Sequence, residues 1–432
     1  MHQNRRVVGV VLLAMAAVGA SREGAPGERG RRACRPTARV RGYLAAMRLH
    51  TAQTADSIVR QRRVGRVRPG IDVLLTDSAQ LVVGRRVGLI TNQSGIDRNG
   101  VPTIDRLARF PGVRLAALFA PEHGIRGVLD EAVRDTVDPA TGIPIYSLYG
   151  ARPVAPTPGQ LRNLDVLVVD LQDVGTRTWT YVTTTILAMR AARTAGKRIL
   201  VLDRPNPIGC VVRGPVLDTA YASFIGPLPV PLRHGMTMGE LARFANAELR
   251  IGADLVVVPV SGWRRCQWLD ETGLPFVRPS PNLPDIGALS WYPGTVLFEA
   301  TNLSSGRGTD APFRQVGAPW LDARRVAQRM AERFGVRLLT VRFTPRDPGD
   351  GKYGDTLVNG VQFAAFDRVR GDAIRDALRL LGVIGEVHPG QLRIDSVGVA
   401  RRLGVRAMSG KVEWPDEVRA FLARRRPYLL YR

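Results

Sequence analysis

The stretch Leu118–Gly127, LFAPEHGIRG, places a carboxylate, an imidazole and a guanidinium close together in the chain. Glu122, His123 and Arg126 follow an apolar run that stops at Pro121. Partial burial after such a run favours the neutral, proton-donating form of a carboxyl group. The stretch therefore predicts acid–base chemistry at the end of a buried strand, with Glu122 as the acid.

Polar side chains follow the other predicted strands in the same way. These strands cover residues 86–91, 113–120, 165–173 and 198–207. Besides Glu122 and His123, the polar residues at their carboxyl ends are Asn92, Gln93, Asp170, Asp173, Asp203, Arg204 and Asn206. In α/β proteins the carboxyl ends of parallel strands meet at one edge of the sheet, where ligands bind. We therefore predict a functional cleft at this edge.

Apolar strands alternate with helices between residues 86 and 260, and this alternation predicts an α/β fold with a Rossmann-like, doubly wound parallel sheet. One predicted helix covers residues 180–196 and ends at a glycine in the C′ position. Another begins with a capping box formed by Thr237 and Glu240. No G-x-G-x-x-G or G-x-x-x-x-G-K-[ST] motif opens any of these helices. The sequence therefore predicts no nucleotide and no other cofactor.

Changes in amino-acid composition divide the chain into four segments. Residues 1–20 are typical of a signal peptide, and residues 21–68 of an Arg-rich, poorly ordered linker. Residues 69–288 form the predicted Rossmann-like domain. After Val260 the chain becomes rich in Pro, Gly and polar residues, and residues 289–432 predict a smaller α+β domain.

The first residues of the chain have the features of an export signal. Arg5 and Arg6 form a positively charged start, Val7–Ala20 is a run of apolar and small residues, and Ser21 follows a small-residue cleavage pattern. The run is shorter than the roughly 20 residues that span a membrane. We predict an exported protein, periplasmic or extracellular, without stable membrane insertion.

The formal net charge of +24 is concentrated at the N-terminus, where residues 1–69 hold 15 Arg and three acids. A nucleic-acid-binding protein would carry its basic residues on a folded face with interleaved aromatic residues, so nucleic acid is not a predicted partner. The three cysteines, Cys34, Cys210 and Cys266, lack metal-ligand spacing. A disulfide between Cys210 and Cys266 is compatible with an oxidising compartment. No feature of the sequence specifies an oligomeric state.

Motifs that follow one another from about residue 70 to the C-terminus resemble those of one family of bacterial enzymes. They are GIDVLL, GLITNQSGID, LFAPEHGIRG, VVDLQDVGTRTWTY, LDRPNPIG, PLRHGMTMGEL, SPNLP and FEATNLSSGRGT. The chain resembles the exo-β-N-acetylmuramidases of glycoside hydrolase family 171, long described as a domain of unknown function. The resemblance implies release of terminal, β-linked N-acetylmuramic acid from the non-reducing end of peptidoglycan fragments during cell-wall recycling. It also implies a C-terminal domain that closes the cleft of the Rossmann-like domain, and no cofactor.

Glycoside cleavage needs a proton donor and, as a rule, a second carboxylate. Glu122 is the predicted donor, and His123 is placed to orient it or to bind the sugar. The candidates for the second carboxylate are Asp173, placed first, Asp170 and Glu299.

The substrate implied by the resemblance carries a lactyl carboxylate, which predicts an arginine in the pocket. The candidate arginines are Arg126, Arg177, Arg204 and Arg307. The remaining candidates for sugar binding are Asn92, Gln93, Tyr181, Asp203, Asn206, His234 and Asn302.

Two other functions are compatible with these residues. A metal-dependent hydrolase would use Glu122, His123 and His234, but no H-E-x-x-H motif is present and no metal is predicted. An exported amino-sugar-binding protein would use the same arginines and aromatic residues without needing Glu122 for chemistry. Activity after treatment with a chelator distinguishes a metal-dependent hydrolase from a glycoside hydrolase. Replacement of Glu122 distinguishes a sugar-binding protein from a glycoside hydrolase.

Expression of the full chain in a bacterial host tests the export prediction. We expect cleavage close to Ser21 and processed protein in the periplasm, because Val7–Ala20 has the length and flanks of a signal peptide. N-terminal sequencing of the periplasmic fraction checks this result. A variant with Arg5 and Arg6 replaced by Glu is the matched control and should stay unprocessed. Full-length protein confined to the cytoplasm would contradict the prediction.

Overall fold

A mostly parallel sheet forms the centre of the computed structural model. The structure describes residues 67–122, 124–125, 135–150, 155–406 and 410–432. The strands, in chain order, are β1 (Arg86–Thr91), β2 (Arg114–Ala120), β3 (Thr136–Val137), β4 (Pro144–Ser147), β5 (Val166–Asp170), β6 (Arg198–Leu202), β7 (Arg213–Val216), β8 (Pro231–Arg233), β9 (Leu255–Val258), β10 (Gln315–Ala318), β11 (Leu338–Phe343) and β12 (Val358–Phe363).

The helices alternate with the strands of this sheet and become more frequent toward the C-terminus. In chain order they are α1 (Gly70–Asp77), α2 (Thr103–Ala108), α3 (Pro158–Leu161), α4 (Thr180–Thr194), α5 (Met238–Glu248), α6 (Ile286–Thr295), α7 (Ala323–Phe334), α8 (Ala373–Val387), α9 (Ser396–Leu403) and α10 (Pro415–Arg425). A 3₁₀ helix, Val296–Ala300, follows α6 directly.

Seven strands pair in the order β3-β4-β2-β1-β5-β6-β9. All neighbours are parallel except β3 and β4, which are antiparallel. The chain passes from β1 to β2 and β4 on one side, and then crosses to β5 and β6 on the other side of β1. The direction of winding therefore changes between β1 and β5, which is where open α/β sheets usually bind ligands.

Apolar cores cover both faces of the sheet, as strand β5 illustrates. All five residues of β5 are buried. Leu167 and Val169 pack into one apolar cluster, whereas Val166 and Val168 pack into another. Successive side chains of a strand point to opposite faces, so a continuous apolar strand is typical of a sheet covered on both sides. The predicted doubly wound α/β fold is confirmed.

Two local predictions for the helices are also confirmed. Helix α4 ends at Thr194, and Gly196 follows in the left-handed conformation with φ of 64°. At the start of α5, the Thr237 hydroxyl accepts from the Glu240 amide, and the Glu240 carboxylate accepts from the Thr237 amide. These signals act through neighbouring residues, so the sequence alone is sufficient to predict them.

The smaller part of the chain contains an antiparallel sheet with the order β10-β12-β11, together with helices α6 to α9. Helix α6 lies in the stretch that reads as Gly- and polar-rich in the sequence. It packs so closely on α8 that a Cβ added to Gly294 would lie 1.9 Å from the carbonyl oxygen of Ala373. Glycine is required there by the close approach of two backbones.

The C-terminal residues return to the larger part of the chain. The Phe421 ring of α10 lies 6.0 Å from the Phe244 ring of α5. Tyr431 then places its hydroxyl 2.5 Å from Asp203 Oδ2, directly after β6. The chain end is therefore anchored at the carboxyl edge of the seven-stranded sheet.

Within the described ranges, no helix is long and apolar enough to cross a membrane. The predicted signal peptide and nearly all of the predicted linker, residues 1–66, lie outside the described residues.

Cys210 and Cys266 form a disulfide, as the oxidising compartment predicted from the export signal permits. The bond closes a loop of 56 residues between the segment after β6 and the segment after β9. A loop of this length limits the freedom of the unfolded chain, so the disulfide stabilises the folded state.

Replacing both cysteines by serine tests this contribution. The Cys210→Ser/Cys266→Ser variant should lose about 2–4 kcal/mol of unfolding free energy, measured by urea denaturation. Cys34→Ser is the matched control and should keep the wild-type midpoint, because Cys34 does not take part in this bond. An unchanged midpoint in the double variant would show that the bond contributes nothing to stability.

Candidate active site

Glu122 lies just after β2 at the carboxyl edge of the sheet and is half-buried. The hydroxyl of Thr180 donates a hydrogen bond of 2.5 Å to Glu122 Oε2. Thr180 is the first residue of α4, so the carboxyl group lies at a helix N-terminus. Glu122 is therefore held by the loop after one strand and by the helix after another.

Three residues predicted to bind the sugar support the backbone around Glu122. The hydroxyl of Tyr181 lies 3.4 Å from the carbonyl oxygen of Glu122 and 3.2 Å from that of Pro279. Asn92 Nδ2 donates to this hydroxyl at 2.6 Å, and Gln93 Nε2 donates to the Pro279 carbonyl at 3.3 Å. Burial raises the pKa of Tyr181, so its hydroxyl stays neutral.

Glu299, one of the three candidates for the second carboxylate, lies in the 3₁₀ helix Val296–Ala300. Arg307 pairs with Glu299 Oε1 through Nε at 3.0 Å and through Nη2. Arg402 of α9 approaches Glu299 Oε2 from another direction, with Nη2 at 3.3 Å. Both carboxylate oxygens are therefore engaged by guanidinium groups from separate segments of the chain.

Lys352 supports the backbone of the same 3₁₀ helix. Its ammonium group donates to the carbonyl oxygens of Phe298, Glu299 and Leu303 at 3.2, 2.9 and 3.3 Å. Burial lowers the pKa of Lys352. Three donors of one side chain thus satisfy three carbonyl groups at the end of a helix, where partners within the helix are missing.

Glu122 and Glu299 line one cavity of about 240 Å³. The other polar residues of its wall are Thr178, Thr180, Ser280, Arg307 and Arg402. The apolar and aromatic part of the wall consists of Trp179, Ile225, Leu283, Tyr292, Val296 and Phe313. A concave site with a few convergent polar groups on an apolar surface is typical of a small-ligand pocket.

Tyr292 and Phe313 form the aromatic side of the cavity. Burial and then the nearby Glu299 carboxylate raise the pKa of Tyr292, and Glu122 adds to this effect. The Tyr292 ring meets the Phe313 ring edge-on at 4.9 Å, and the Arg307 guanidinium lies 5.2 Å from the Phe313 ring. Phe313 adopts a left-handed backbone with φ of 57°, which is strained for a bulky residue. Such strain is often found at functional sites.

Asp170 and Arg204 lie outside this cavity and pair with each other. Arg204 Nε and Nη2 donate to the two oxygens of Asp170 at 2.6 and 2.8 Å. Thr103 also donates to Asp170, and both members of the pair are almost fully buried. The pair lies beside β1 and β5, where the winding of the sheet changes.

Asp173 lines a separate, much smaller cavity. Asp173 Oδ2 accepts from the Gly175 amide at 2.7 Å and lies 3.4 Å from His234 Nε2. His234 Nδ1 accepts from the Met236 amide, so Nε2 is the nitrogen placed to carry a proton toward Asp173. The structure thus places Glu299, and not Asp173, in the cavity with Glu122.

The remaining described candidates bind backbone groups or polar side chains. Arg177 is buried and donates only to carbonyl oxygens among the described residues. Asp203 accepts from the Thr237 hydroxyl and the Gly239 amide, and burial raises its pKa to about 6. Two asparagines join backbone segments through their side-chain amides, Asn206 to Met236 and Ile208, and Asn302 to Gln391 and Arg393.

Two predicted residues, His123 and Arg126, lie outside the described residues. Among the residues that are described, no group of three or more His, Cys, Asp and Glu side chains could hold a metal ion.

Sequence reasoning did not find Arg402 or Thr180. Arg402 is one of two arginines in the last turn of a short amphipathic helix, and a surface helix with this composition is ordinary. Thr180 lies in the TRTWTY motif, but its role depends on where helix α4 begins relative to β2. Only a contact between distant segments identifies either residue.

Two carboxyl groups, Glu122 and Glu299, line one cavity, and most glycoside hydrolases act through such a pair. The sequence matches the family models for the N-terminal and C-terminal parts of exo-β-N-acetylmuramidase NamZ over residues 87–287 and 290–431. The chain therefore belongs to the exo-β-N-acetylmuramidase NamZ family, and the resemblance seen in the motifs is confirmed.

Individual relatives agree with this assignment. The chain is 42% identical over 348 residues to the peptidoglycan β-N-acetylmuramidase NamZ of Bacillus subtilis strain 168, a match that covers 79% of this chain and 83% of the relative. Two crystal structures of DUF1343 family proteins from Bacteroides fragilis are also similar. They have TM-scores of 0.77 and 0.66 and identities of 32% and 30%, and each match covers 85% of this chain and 99% of the other.

Proposed function

We propose that this protein is an exo-acting glycoside hydrolase that releases terminal, β-linked N-acetylmuramic acid from the non-reducing end of peptidoglycan fragments. The observation that carries the proposal is the presence of Glu122 and Glu299 in one cavity of a chain from this family. The reaction fits a role in cell-wall turnover and recycling. The peptidoglycan-derived saccharide is the one partner that the proposal requires.

Glu122 acts in this proposal as the acid that protonates the leaving oxygen. Its carboxyl group accepts a hydrogen bond from Thr180, which orients one oxygen and leaves the other for the substrate. Glu299 is the second carboxylate, and it works either as the base for a water molecule or as the nucleophile. Arg307 and Arg402 keep Glu299 in a fixed orientation. Tyr292 lines the same cavity as the two acids and stays neutral because its pKa is raised.

The charge of the cavity supports an acidic sugar as the substrate. Two guanidinium groups share the single carboxylate of Glu299, so positive charge remains for a further anion. Among the described candidate arginines, Arg307 is the one that lines the cavity, so it is the candidate to bind the lactyl carboxylate. Arg402 adds a second guanidinium there. Arginine is suited to this task because its planar fork matches the two oxygens of a carboxylate.

The size of the cavity supports exo-action. Pockets for small ligands usually measure about 300–1,000 Å³, and about 240 Å³ lies just below this range. Such a cavity has room for about one sugar unit. A chain end would enter it, whereas an internal stretch of a glycan strand would need a longer groove.

We also propose that the protein acts outside the cytoplasm, in the periplasm or beyond the cell surface. The apolar run Val7–Ala20 and the Cys210–Cys266 disulfide support this location. Peptidoglycan lies in the same compartment, so enzyme and substrate would meet there.

Comparison of two chromogenic substrates tests the substrate preference. The β-N-acetylmuraminide should be cleaved with a kcat/KM on the order of 10⁴-fold above that of the β-N-acetylglucosaminide, because only the muraminide carries the lactyl carboxylate that the pocket arginines can bind. Initial rates over a range of substrate concentrations give both values. Arg307→Met should reduce this ratio, while the exposed Arg324→Met is the matched control and should keep it. Equal values for the two substrates in the wild-type protein would refute the proposed preference.

Replacement of Glu122 tests its role as the acid. Glu122→Gln keeps the size of the side chain and removes the proton, so kcat on a natural disaccharide should fall by roughly 10²–10⁴-fold with little change in KM. The loss should be smaller with a nitrophenyl glycoside, whose leaving group needs less protonation. Steady-state kinetics on both substrates provides the measurement.

A matched control accompanies this variant. Glu332→Gln changes an exposed residue of α7 and should keep wild-type kinetics. Glu299→Gln should lower kcat for both substrates equally, because the second carboxylate does not protonate the leaving group. Wild-type turnover of the disaccharide by Glu122→Gln would show that Glu122 is structural. A collapse of binding would show that it holds the sugar without protonating it.

A further inference from the structure

Arg177 is a buried cation held by backbone groups. Its side chain is 2% exposed, and among the described residues it pairs with no carboxylate. Nη1 donates to the carbonyl oxygens of Pro215 and Val230 at 3.0 and 2.7 Å, and Nη2 donates to that of Arg402 at 3.0 Å. Burial lowers the pKa of Arg177 to about 9. Burial of a charge without a counter-ion costs free energy, so the hydrogen bonds to the three carbonyl groups must compensate for a large loss of solvation.

On one side, Arg177 is continuous with the residues that hold Glu122. Its amide donates to the Leu232 carbonyl at 2.8 Å, which fixes the backbone where the chain leaves the sheet edge. Thr178, Trp179 and Thr180 follow directly and line the cavity. The last of these donates to Glu122. A shift of the Arg177 side chain would therefore move the start of α4 and the donor to Glu122.

On the other side, Arg177 binds the helix that holds Glu299. The carbonyl of Arg402 lies in the last turn of α9, where a positive charge interacts favourably with the helix dipole. Helix α9 ends at Gly404 with φ of 82°, and a Cβ there would lie 2.3 Å from Arg177 Nη2. The side chain of Arg402 then reaches Glu299 Oε2 at 3.3 Å. The guanidinium of Arg177 thus fixes the position of Arg402.

We infer that Arg177 is a positioning residue that fixes the two carboxyl groups of the cavity relative to each other, through Thr180 on one side and Arg402 on the other. The inference rests on the proposed function and explains a buried cation that the reaction itself does not use. Arg177 touches neither carboxylate, so its effect is geometric. A displacement of about 1 Å in an active site can reduce the rate by on the order of 10²-fold.

The substitution Arg177→Lys tests the inference in the full chain. Lysine keeps the charge but lacks the planar fork, so it cannot bind all three carbonyl groups in the same geometry. We expect kcat for the β-N-acetylmuraminide to fall by roughly 10–100-fold, while KM changes much less. A purely structural residue would lower stability without this division between kcat and KM.

Arg425 offers a matched control. It is also buried, and its Nη1 donates to two carbonyl oxygens, those of His234 and Gly235, both at 2.9 Å. Neither of these residues lines the cavity. Arg425→Lys should therefore lower the thermal midpoint to a similar extent and leave kcat within about twofold of wild type. Equal losses of kcat in the two variants, or an unchanged kcat in Arg177→Lys, would overturn the inference.

Hydrogen exchange without substrate separates this inference from the proposed function. Peptides that cover residues 178–185 and 396–406 should exchange faster in Arg177→Lys than in wild type, and should be unchanged in Arg425→Lys. Unchanged exchange in both peptides of Arg177→Lys would refute the positioning role of Arg177, even if the variant were inactive. An inactive wild-type protein with the expected exchange would refute only the proposed function.

A second variant covers the case in which Arg177→Lys does not fold. Gly404→Ala keeps the arginine at position 177 but directs a methyl group against its Nη2, so the guanidinium has to move. It should reduce kcat in the same direction and speed exchange in residues 396–406. Wild-type kcat in a folded Gly404→Ala protein would count against the inference.

Discussion

A buried ion pair between Arg204 and Asp170 is the interaction on which the site depends. The guanidinium donates to both carboxylate oxygens and also to the carbonyl of Ile96. It thereby joins the segment after β1, the last residue of β5 and the segment after β6, at the point where the winding of the sheet changes. Loss of one partner would leave a buried charge without compensation, at a cost of about 3–5 kcal/mol. Neither residue of the pair lines the cavity that contains Glu122 and Glu299.

The cavity is shared between the two parts of the chain. The seven-stranded sheet supplies Glu122 after β2 and Thr180 at the start of α4. The smaller part supplies Glu299 together with Arg307 and Arg402. Each acid is thus supported by its own set of donors, a hydroxyl for one and two guanidinium groups for the other. The proposed mechanism gives the two carboxyl groups different tasks, and their surroundings differ accordingly.

Much of the fold could be predicted from the sequence because its signals are local. The continuous apolar run of β5, the capping box at Thr237 and the glycine after α4 all act through neighbours in the chain. Helix α6 could not be predicted in this way. Its sequence contains Pro293 and Gly294, and the glycine is explained by the contact with Ala373 of α8. This contact joins residues that are far apart in the sequence, and the helix propensity of single residues carries no information about it.

The sequence by itself determined the fold class, the family and the edge of the sheet at which Glu122 lies, because the alternation of strands with helices and the family motifs both depend on residues close together in the chain. Only the tertiary structure decided which polar residues meet. Asp170, Asp173, Arg177 and Arg204 follow the strands just as Glu122 does, but they are buried and bind each other, His234 or the backbone. Glu299 and Arg402 come from remote segments, pair with each other and line the same cavity as Glu122. The physical reason is that a polar side chain at a strand end needs partners, and the packing of distant helices determines whether those partners are protein groups or a substrate.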